Sequence, residues 1–228
     1  MHKAEPNLSA EAPGPAPIKV AVIDDEAPMR RALARLMKSA GIETAIFSSP
    51  QEFLSSPIHQ RVDCAVTDMR MPGFDGLELQ RELNRRSPHL SLVFITGYGD
   101  VPISVKAMKD GAVDFLTKPV DADALLAAIR RAAERSRALK TSRDELMAIE
   151  RRYAEVTARE REVLALVTTG LLNKQVADQL GVAEKTIKVH RARVMEKMGA
   201  GSLADLVRMA ERLGVRRTGA PKTSSSAG

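Results

Sequence analysis

The chain has 228 residues, with 35 Lys and Arg against 29 Asp and Glu, a formal net charge of +6. That length suits one to two domains at roughly 150 residues each. One cysteine, Cys64, excludes an internal disulfide and any multi-cysteine zinc site. No stretch nears the ~18 apolar residues of a membrane span, and the N-terminus has no basic-apolar-small leader pattern, so a cytoplasmic protein without membrane contact is expected.

The charge is unevenly spread. Residues 1–150 carry 20 basic and 21 acidic side chains, whereas residues 151–217 carry 14 and 8. The aromatics are five Phe and two Tyr with no Trp, and none follows Tyr153. A basic segment without rings has no platform for stacking single-stranded bases. It can neutralise duplex phosphates and lay a helix in a groove, or it can be an ordinary solvated surface. Charge alone does not choose.

Residues 1–17 contain four prolines and no periodicity, which reads as a disordered leader, and residues 218–228 read as a disordered tail. From residue 18 to 138 short apolar runs alternate with helical patterns. Strands are predicted at Ile18–Ile23, Thr44–Phe47, Cys64–Thr67, Leu92–Thr96 and Val113–Thr117. Helices are predicted at about Pro28–Ala40, Pro50–Ser55, Asp75–Arg86, Val101–Lys109 and from Asp121 onward, with Pro28 in a first turn and Gly41 closing the helix before it. Five βα units imply an α/β fold of the flavodoxin-like type, a parallel sheet in the order 2-1-3-4-5, with functional groups at the carboxyl ends of the strands. Residues 139–155 carry dense mixed charge and read as a helical linker. Residues 156–217 show only helical patterns, an all-α region of four helices.

The strand ends of the first region carry a specific set of groups. Asp24 and Asp25 follow the first strand, Asp68 the third, Thr96 ends the fourth, and Lys118 follows the fifth. In the order 2-1-3-4-5 strands 1 and 3 are neighbours, so three aspartates converge. Such carboxylates repel one another unless a cation is present, and hard oxygen ligands suit Mg²⁺. A divalent ion beside a carboxylate, a hydroxyl and an ammonium is equipment for phosphoryl transfer. Asp68, central on the third strand, is the expected nucleophile. Asp24, Asp25 and Asp68 would hold Mg²⁺ with the backbone carbonyl of Arg70, while Thr96 and Lys118 would bind phosphoryl oxygens. An aspartate after a strand can instead merely cap a helix; four strand ends bearing the right groups are not explained that way. Cys64 lies within an apolar strand and reads as a small hydrophobe. Gly97-Tyr98-Gly99 lacks the third glycine of a dinucleotide fingerprint.

Residues VIDDE (22–26), DMRMPGFDG (68–76), FITGYGD (94–100) and FLTKP (115–119) resemble the receiver domain of bacterial two-component response regulators. The resemblance implies that a sensor histidine kinase donates a phosphoryl group to Asp68. It also implies a cis peptide at Lys118–Pro119 and a switching aromatic at Phe115. The same resemblance implies that the surface of the fourth helix and fifth strand is remodelled on phosphorylation.

In the basic region Thr157 and Glu160 form a capping box at the start of a first helix, and a second spans about Asn173–Leu180, ending at Gly181. A third runs from about Glu184 to Met198 and a fourth from Leu203 to Leu213. On the third helix Ile187, Val194 and Met198 recur at helical spacing and should face a core. The opposite surface shows Lys185, Lys188, Val189 and Ala192, flanked by Arg191, Arg193 and Lys197. That pattern suits a helix-turn-helix entering a major groove, with Lys188 on guanine edges and Val189 on a thymine methyl. Lys174, Lys185, Arg191 and Arg193 would contact phosphates. A solvated basic face on a bundle helix fits this one helix equally well.

AREREVL (158–164), NKQVADQLGV (173–182) and EKTIKVHRARVMEKM (184–198) resemble the LuxR/NarL-type four-helix DNA-binding domain, and with the receiver the arrangement resembles FixJ-type transcription regulators. That resemblance places base reading on Lys188, Val189 and Ala192. It places a dimer contact on the fourth helix, whose stripe is Leu203, Leu206, Val207 and Ala210. Double-stranded DNA, a cognate kinase and a second copy are the implied partners, with RNA polymerase a further candidate. Ala183 stands where the family commonly has a capping Ser, a loss of about 1 kcal/mol at the helix start. His190 is read as helix packing or a phosphate contact. No catalytic residue toward an outside substrate is expected. An Mg²⁺-dependent phosphotransferase would need a second acid two residues after its nucleophile, and position 70 is Arg. A phosphorylation-independent scaffold would show degenerate acids, and here they are intact.

Overall fold

The computed structural model describes residues 16–97 and 101–215. Most of the leader expected at 1–17, the tail expected at 218–228, and Tyr98 and Gly99 lie outside the described residues. The chain divides into two units, Met1–Lys140 and Thr141–Gly228.

The first unit is a five-stranded parallel sheet in the order β2-β1-β3-β4-β5, as expected. Its strands are β1 (Lys19–Ile23), β2 (Glu43–Phe47), β3 (Cys64–Asp68), β4 (Ser91–Thr96) and β5 (Asp114–Thr117). Helices α1 (Ala27–Ser39), α2 (Pro50–Ser55), α3 (Gly76–Arg86), α4 (Val101–Lys109) and the start of α5 (Ala122–Ala154) intervene. A short 3-10 turn, Pro57–Gln60, was not foreseen.

The central strands are uniformly apolar because both sheet faces are covered. Along β1, Ala21 and Ile23 join one core with Phe53 of α2, Leu79 and Leu83 of α3, and Ala107 of α4. Val20 and Val22 join the other, with Leu33 and Met37 of α1 and Leu125, Ala128 and Ile129 of α5. This two-residue alternation sends neighbouring side chains to opposite faces, and it leaves the carboxyl ends of β1, β3, β4 and β5 at one edge.

Local chemistry starts and stops the helices. Pro28 sits in the first turn of α1, and Gly41, at φ +71°, turns the chain toward β2. Asp75 caps α3 by accepting from the Glu78 N–H (2.7 Å) while Glu78 accepts from the Asp75 N–H (2.9 Å). Ala16 and Pro17 correct the leader's end, since Arg137 donates Nη2 to both carbonyls at 3.2 Å.

The second unit holds the last turns of α5 with α6 (Ala158–Val167), α7 (Asn173–Leu180), α8 (Glu184–Met198) and α9 (Leu203–Arg212). Its core gathers Val163 and Leu164, Val176, Ile187, Val194 and Met198, and Leu206 and Ala210. Ile149 and Val156 are buried in that same core. The segment expected at 139–155 as a linker is therefore helical, but residues from Thr141 onward pack as part of this unit. Seven residues of mixed charge hid one apolar anchor.

Candidate functional site

β1 and β3 pair in parallel with Ile23 beside Thr67, so Asp24 and Asp68 emerge side by side. Carboxylate oxygens of Asp24, Asp25 and Asp68 come within 4.8 Å of one another. Asp24 and Asp68 are buried, at 1% and 7% exposure, and Asp25 is exposed. Backbone groups fix the first two. Asp24 Oδ1 accepts from the Glu26 N–H at 2.7 Å, and its carbonyl accepts from Arg30 Nη1 at 2.5 Å. Asp68 Oδ1 accepts from the Arg70 N–H at 3.2 Å.

β5 delivers the cation. Lys118 Nζ stands 2.7 Å from Asp68 Oδ2 and 3.4 Å from both Asp24 Oδ2 and Glu26 Oε1. The Lys118 N–H donates to the Thr96 carbonyl at 2.7 Å, which ties the ends of β4 and β5 together. Thr96 is buried there at 1% exposure. The Lys118–Pro119 peptide is cis, as expected. Phe115 is half-buried, its ring centroid 6.4 Å from that of Phe94.

Electrostatics separate the two buried partners. Burial pushes the Asp24 carboxyl above its usual range; the Glu26 N–H and Lys118 oppose this, and Asp68 adds to it. Burial works against the Lys118 charge, but the hydrogen bond to Asp68 and the charges of Asp24 and Asp68 outweigh it, holding the ammonium protonated. One ammonium faces four carboxylates, so the site carries excess negative charge. The donor set is entirely hard oxygen on the acidic side, which fits Mg²⁺ and not a soft metal.

Two participants escaped the sequence reading. Glu26 was seen only as a neighbour of Asp24, although three acids in a row were the available signal. Gly76 opens α3 against the phosphoacceptor candidate: a Cβ there would meet the Asp68 carbonyl oxygen and a Phe94 ring carbon at 2.8 Å each. Only glycine permits that approach.

In the second unit Gly181, at φ +64°, turns α7 into α8. Ile187, Val194 and Met198 are fully buried. Lys185, Lys188, Val189, Ala192 and Arg193 are exposed on α8, and Lys174 on α7. Lys188 Nζ lies 3.2 Å from Glu184 Oε1, a solvent-exposed pair. Ala183 provides no side-chain cap, as its identity predicts.

Three expectations need correction. Arg191 is half-buried and spends Nη1 on Asn173 Oδ1 at 3.1 Å, bridging α8 to α7. Lys197, expected on the outer basic surface, pairs with buried Glu160 at 2.6 Å. Lys197 and the Thr157 N–H hold the Glu160 carboxyl down to about 2, against burial, which raises it. Leu206 and Ala210, expected on a dimer face, are buried at 0% and 3% in the unit's own core, because the stripe's inner edge is what the four helices pack on. Leu203 and Val207 are half-buried. His190 is half-buried, with Nδ1 buried and lacking a hydrogen-bond partner among the described residues.

Comparison with known proteins agrees with both units. Residues 20–130 match the response regulator receiver domain, and residues 154–210 match the luxR family of bacterial regulatory proteins. Nodulation protein W of Bradyrhizobium diazoefficiens is 46% identical over 196 residues, covering 86% of each chain. Transcriptional regulatory protein FixJ of Azorhizobium caulinodans is 44% identical over 201 residues, 88% of this chain and 95% of that one. The solved structure of the response regulator StyR is 42% identical with a TM-score of 0.77, covering 86% of this chain and all of that one. With an acidic strand-end cluster in one unit, a helix-turn-helix in the other and such relatives along most of its length, the chain belongs to the response regulators of the FixJ and NodW type, a receiver domain followed by a LuxR-type DNA-binding domain.

Proposed function

We propose that a sensor histidine kinase phosphorylates Asp68 and that this controls dimerisation and sequence-specific duplex DNA binding, so regulating transcription in the cytoplasm. The observation that carries the reading is Lys118 Nζ at 2.7 Å from Asp68 Oδ2, inside a ring of carboxylates drawn from β1 and β3. Among the described residues no helix is long and apolar enough to cross a membrane.

Asp68 Oδ2 attacks phosphorus in line; the P–N bond to the kinase histidine breaks and the imidazole leaves with the electron pair. Asp24, Asp25, Asp68 and the Arg70 carbonyl would hold Mg²⁺, which when bound offsets charge on the transferring oxygens. Lys118 then exchanges its bond to Asp68 for one to a phosphoryl oxygen, and the Thr96 hydroxyl takes another. Drawing Thr96 inward vacates space for Phe115 and remodels the surface of α4 and β5. Moving such an equilibrium from 1:99 to 99:1 takes about 5.5 kcal/mol, within reach of a dianionic group bonded to Lys118.

At the output unit Lys188, Val189 and Ala192 read base edges, while Lys174, Lys185 and Arg193, with the remaining nitrogens of Arg191, contact phosphates. The outer edge of α9, Leu203 and Val207, serves the dimer contact. RNA polymerase is the further partner of a regulator of this type, and no reaction on an outside substrate is assigned. The test is Asp68→Asn with a cognate kinase and labelled ATP. Acid-labile label should vanish from the variant, and beryllofluoride with Mg²⁺ should tighten DNA binding by the unsubstituted chain only. Persistent label on the variant removes the site assignment.

A further inference from the structure

Residues 131–153 lie outside both matched segments, yet the end of α5 is built into the DNA-binding unit. Ile149 shares a core with Ile187 and Val194 of α8. Arg212 of α9 donates Nη1 to Glu145 Oε2 at 2.7 Å and Nη2 to the Ser142 carbonyl at 2.8 Å. Arg152 donates Nη1 to the carbonyl of Met198, the last residue of α8, at 3.3 Å. Its guanidinium lies against Gly199, where a Cβ would stand 3.2 Å from Nη1 and 3.4 Å from Cζ.

The two ends of α8 therefore differ. Ala183 leaves the start without a side-chain cap, and the base-reading candidates Lys188 and Val189 sit in that half. At the other end a cation meets orphan carbonyls, where the helix dipole favours it, and Lys197 anchors to Glu160. Lys188 is ten residues from Met198, about 15 Å along the axis, so a tilt of about 10° at the anchored end moves it by ~2.5 Å. Hydrogen bonds to base edges tolerate a few tenths of an ångström.

We propose that Arg152 is a positioning residue of the recognition helix: from α5 it fixes the C-terminal end of α8 and thereby sets the aim of Lys188 and Val189. This rests on the base-reading role proposed above.

The test uses the full chain with two probes, a duplex selected by the unsubstituted protein from a randomised library and a random-sequence duplex of equal length. Arg152→Met keeps the apolar stem and removes the donor. It should weaken binding to the selected duplex about tenfold, the scale of one charge-assisted hydrogen bond. Binding to the random duplex should change less than about twofold, with an unchanged thermal midpoint, and Arg152→Lys should recover most of the loss. Equal losses on both duplexes, no loss on either, or a loss accompanied by a matching fall in thermal midpoint would overturn the proposal. Failure of the unsubstituted chain to select any duplex would instead sink the base-reading role, before any substitution is made.

Discussion

Asp24 illustrates how a single buried group is held against its own preference. Its carboxylate is 1% exposed and lies near Asp68 and Lys118, and burial dominates its raised pKa. The direction of that shift means that the surroundings oppose the ionised form even with Lys118 present. A neutral isostere should thus relieve strain that Lys118 does not fully offset. Asp24→Asn is expected to stabilise the chain by about 1 kcal/mol in chelator, a few degrees in thermal midpoint for a domain of this size. Adding Mg²⁺ should raise the midpoint of the unsubstituted chain and leave the variant nearly unmoved, because a bound ligand stabilises only a fold that binds it. Scanning calorimetry in EDTA and in Mg²⁺ reads both. A variant that melts lower in EDTA, or one that Mg²⁺ stabilises fully, contradicts this account of the cluster.

Between elements, the clearest constraint is the Glu160–Lys197 bridge from α6 to α8. Glu160 is buried, caps α6 through the Thr157 N–H at 2.9 Å, and receives Lys197 Nζ at 2.6 Å. Its pKa falls from an ordinary 4.5 to about 2, chiefly through the Lys197 hydrogen bond. The folded value lies below the unfolded one, so the stabilisation is complete above about pH 4.5 and is lost as pH falls toward 2. Lys197→Met should remove much of this dependence, which calorimetric midpoints of both chains from pH 5 to 2.5 would measure. Parallel curves for the two would show that other carboxylates carry the acid transition. The capping box at Thr157 was legible in the sequence because its four-residue spacing is local, and so were α7 and α8, whose limits match. The strand-end acids were legible because a parallel sheet in the order 2-1-3-4-5 leaves little freedom over which ends meet. What could not be read were pairings across elements. Lys197 and Arg191 sit on a helix whose outer face looks uniformly basic, and nothing local says that Glu160 and Asn173 take them. Leu206 and Ala210 likewise share a stripe with Leu203 and Val207, and only packing against three other helices divides it. Ile149 was invisible among the charges of α5 for the same reason.

For the whole molecule, those internal pairings change what a charge of +6 can do. The C-terminal excess suggested five cations along α8, Lys185, Lys188, Arg191, Arg193 and Lys197. Of these, Lys197 is committed to Glu160 and Arg191 partly to Asn173, whereas Lys185 and Arg193 on α8 and Lys174 on α7 are exposed without printed-range partners among their described neighbours. Each phosphate neutralised contributes about −0.9 to the slope of log K against log salt on B-form DNA. Lys174→Ala, Lys185→Ala and Arg193→Ala should therefore each make the slope shallower by about 0.9 per bound unit, with affinity falling alike on selected and random duplexes. Lys188→Ala should act differently, lowering preference among sequences more than it lowers the slope. Lys197→Ala should leave the slope unchanged and instead lower the thermal midpoint, since the charge it removes serves α6 and not DNA. Titrations across 50–200 mM salt distinguish these outcomes. A slope change for Lys197→Ala equal to that for Lys185→Ala would mean that the basic surface acts as a diffuse field, with no division between cations that hold the fold and cations that hold DNA.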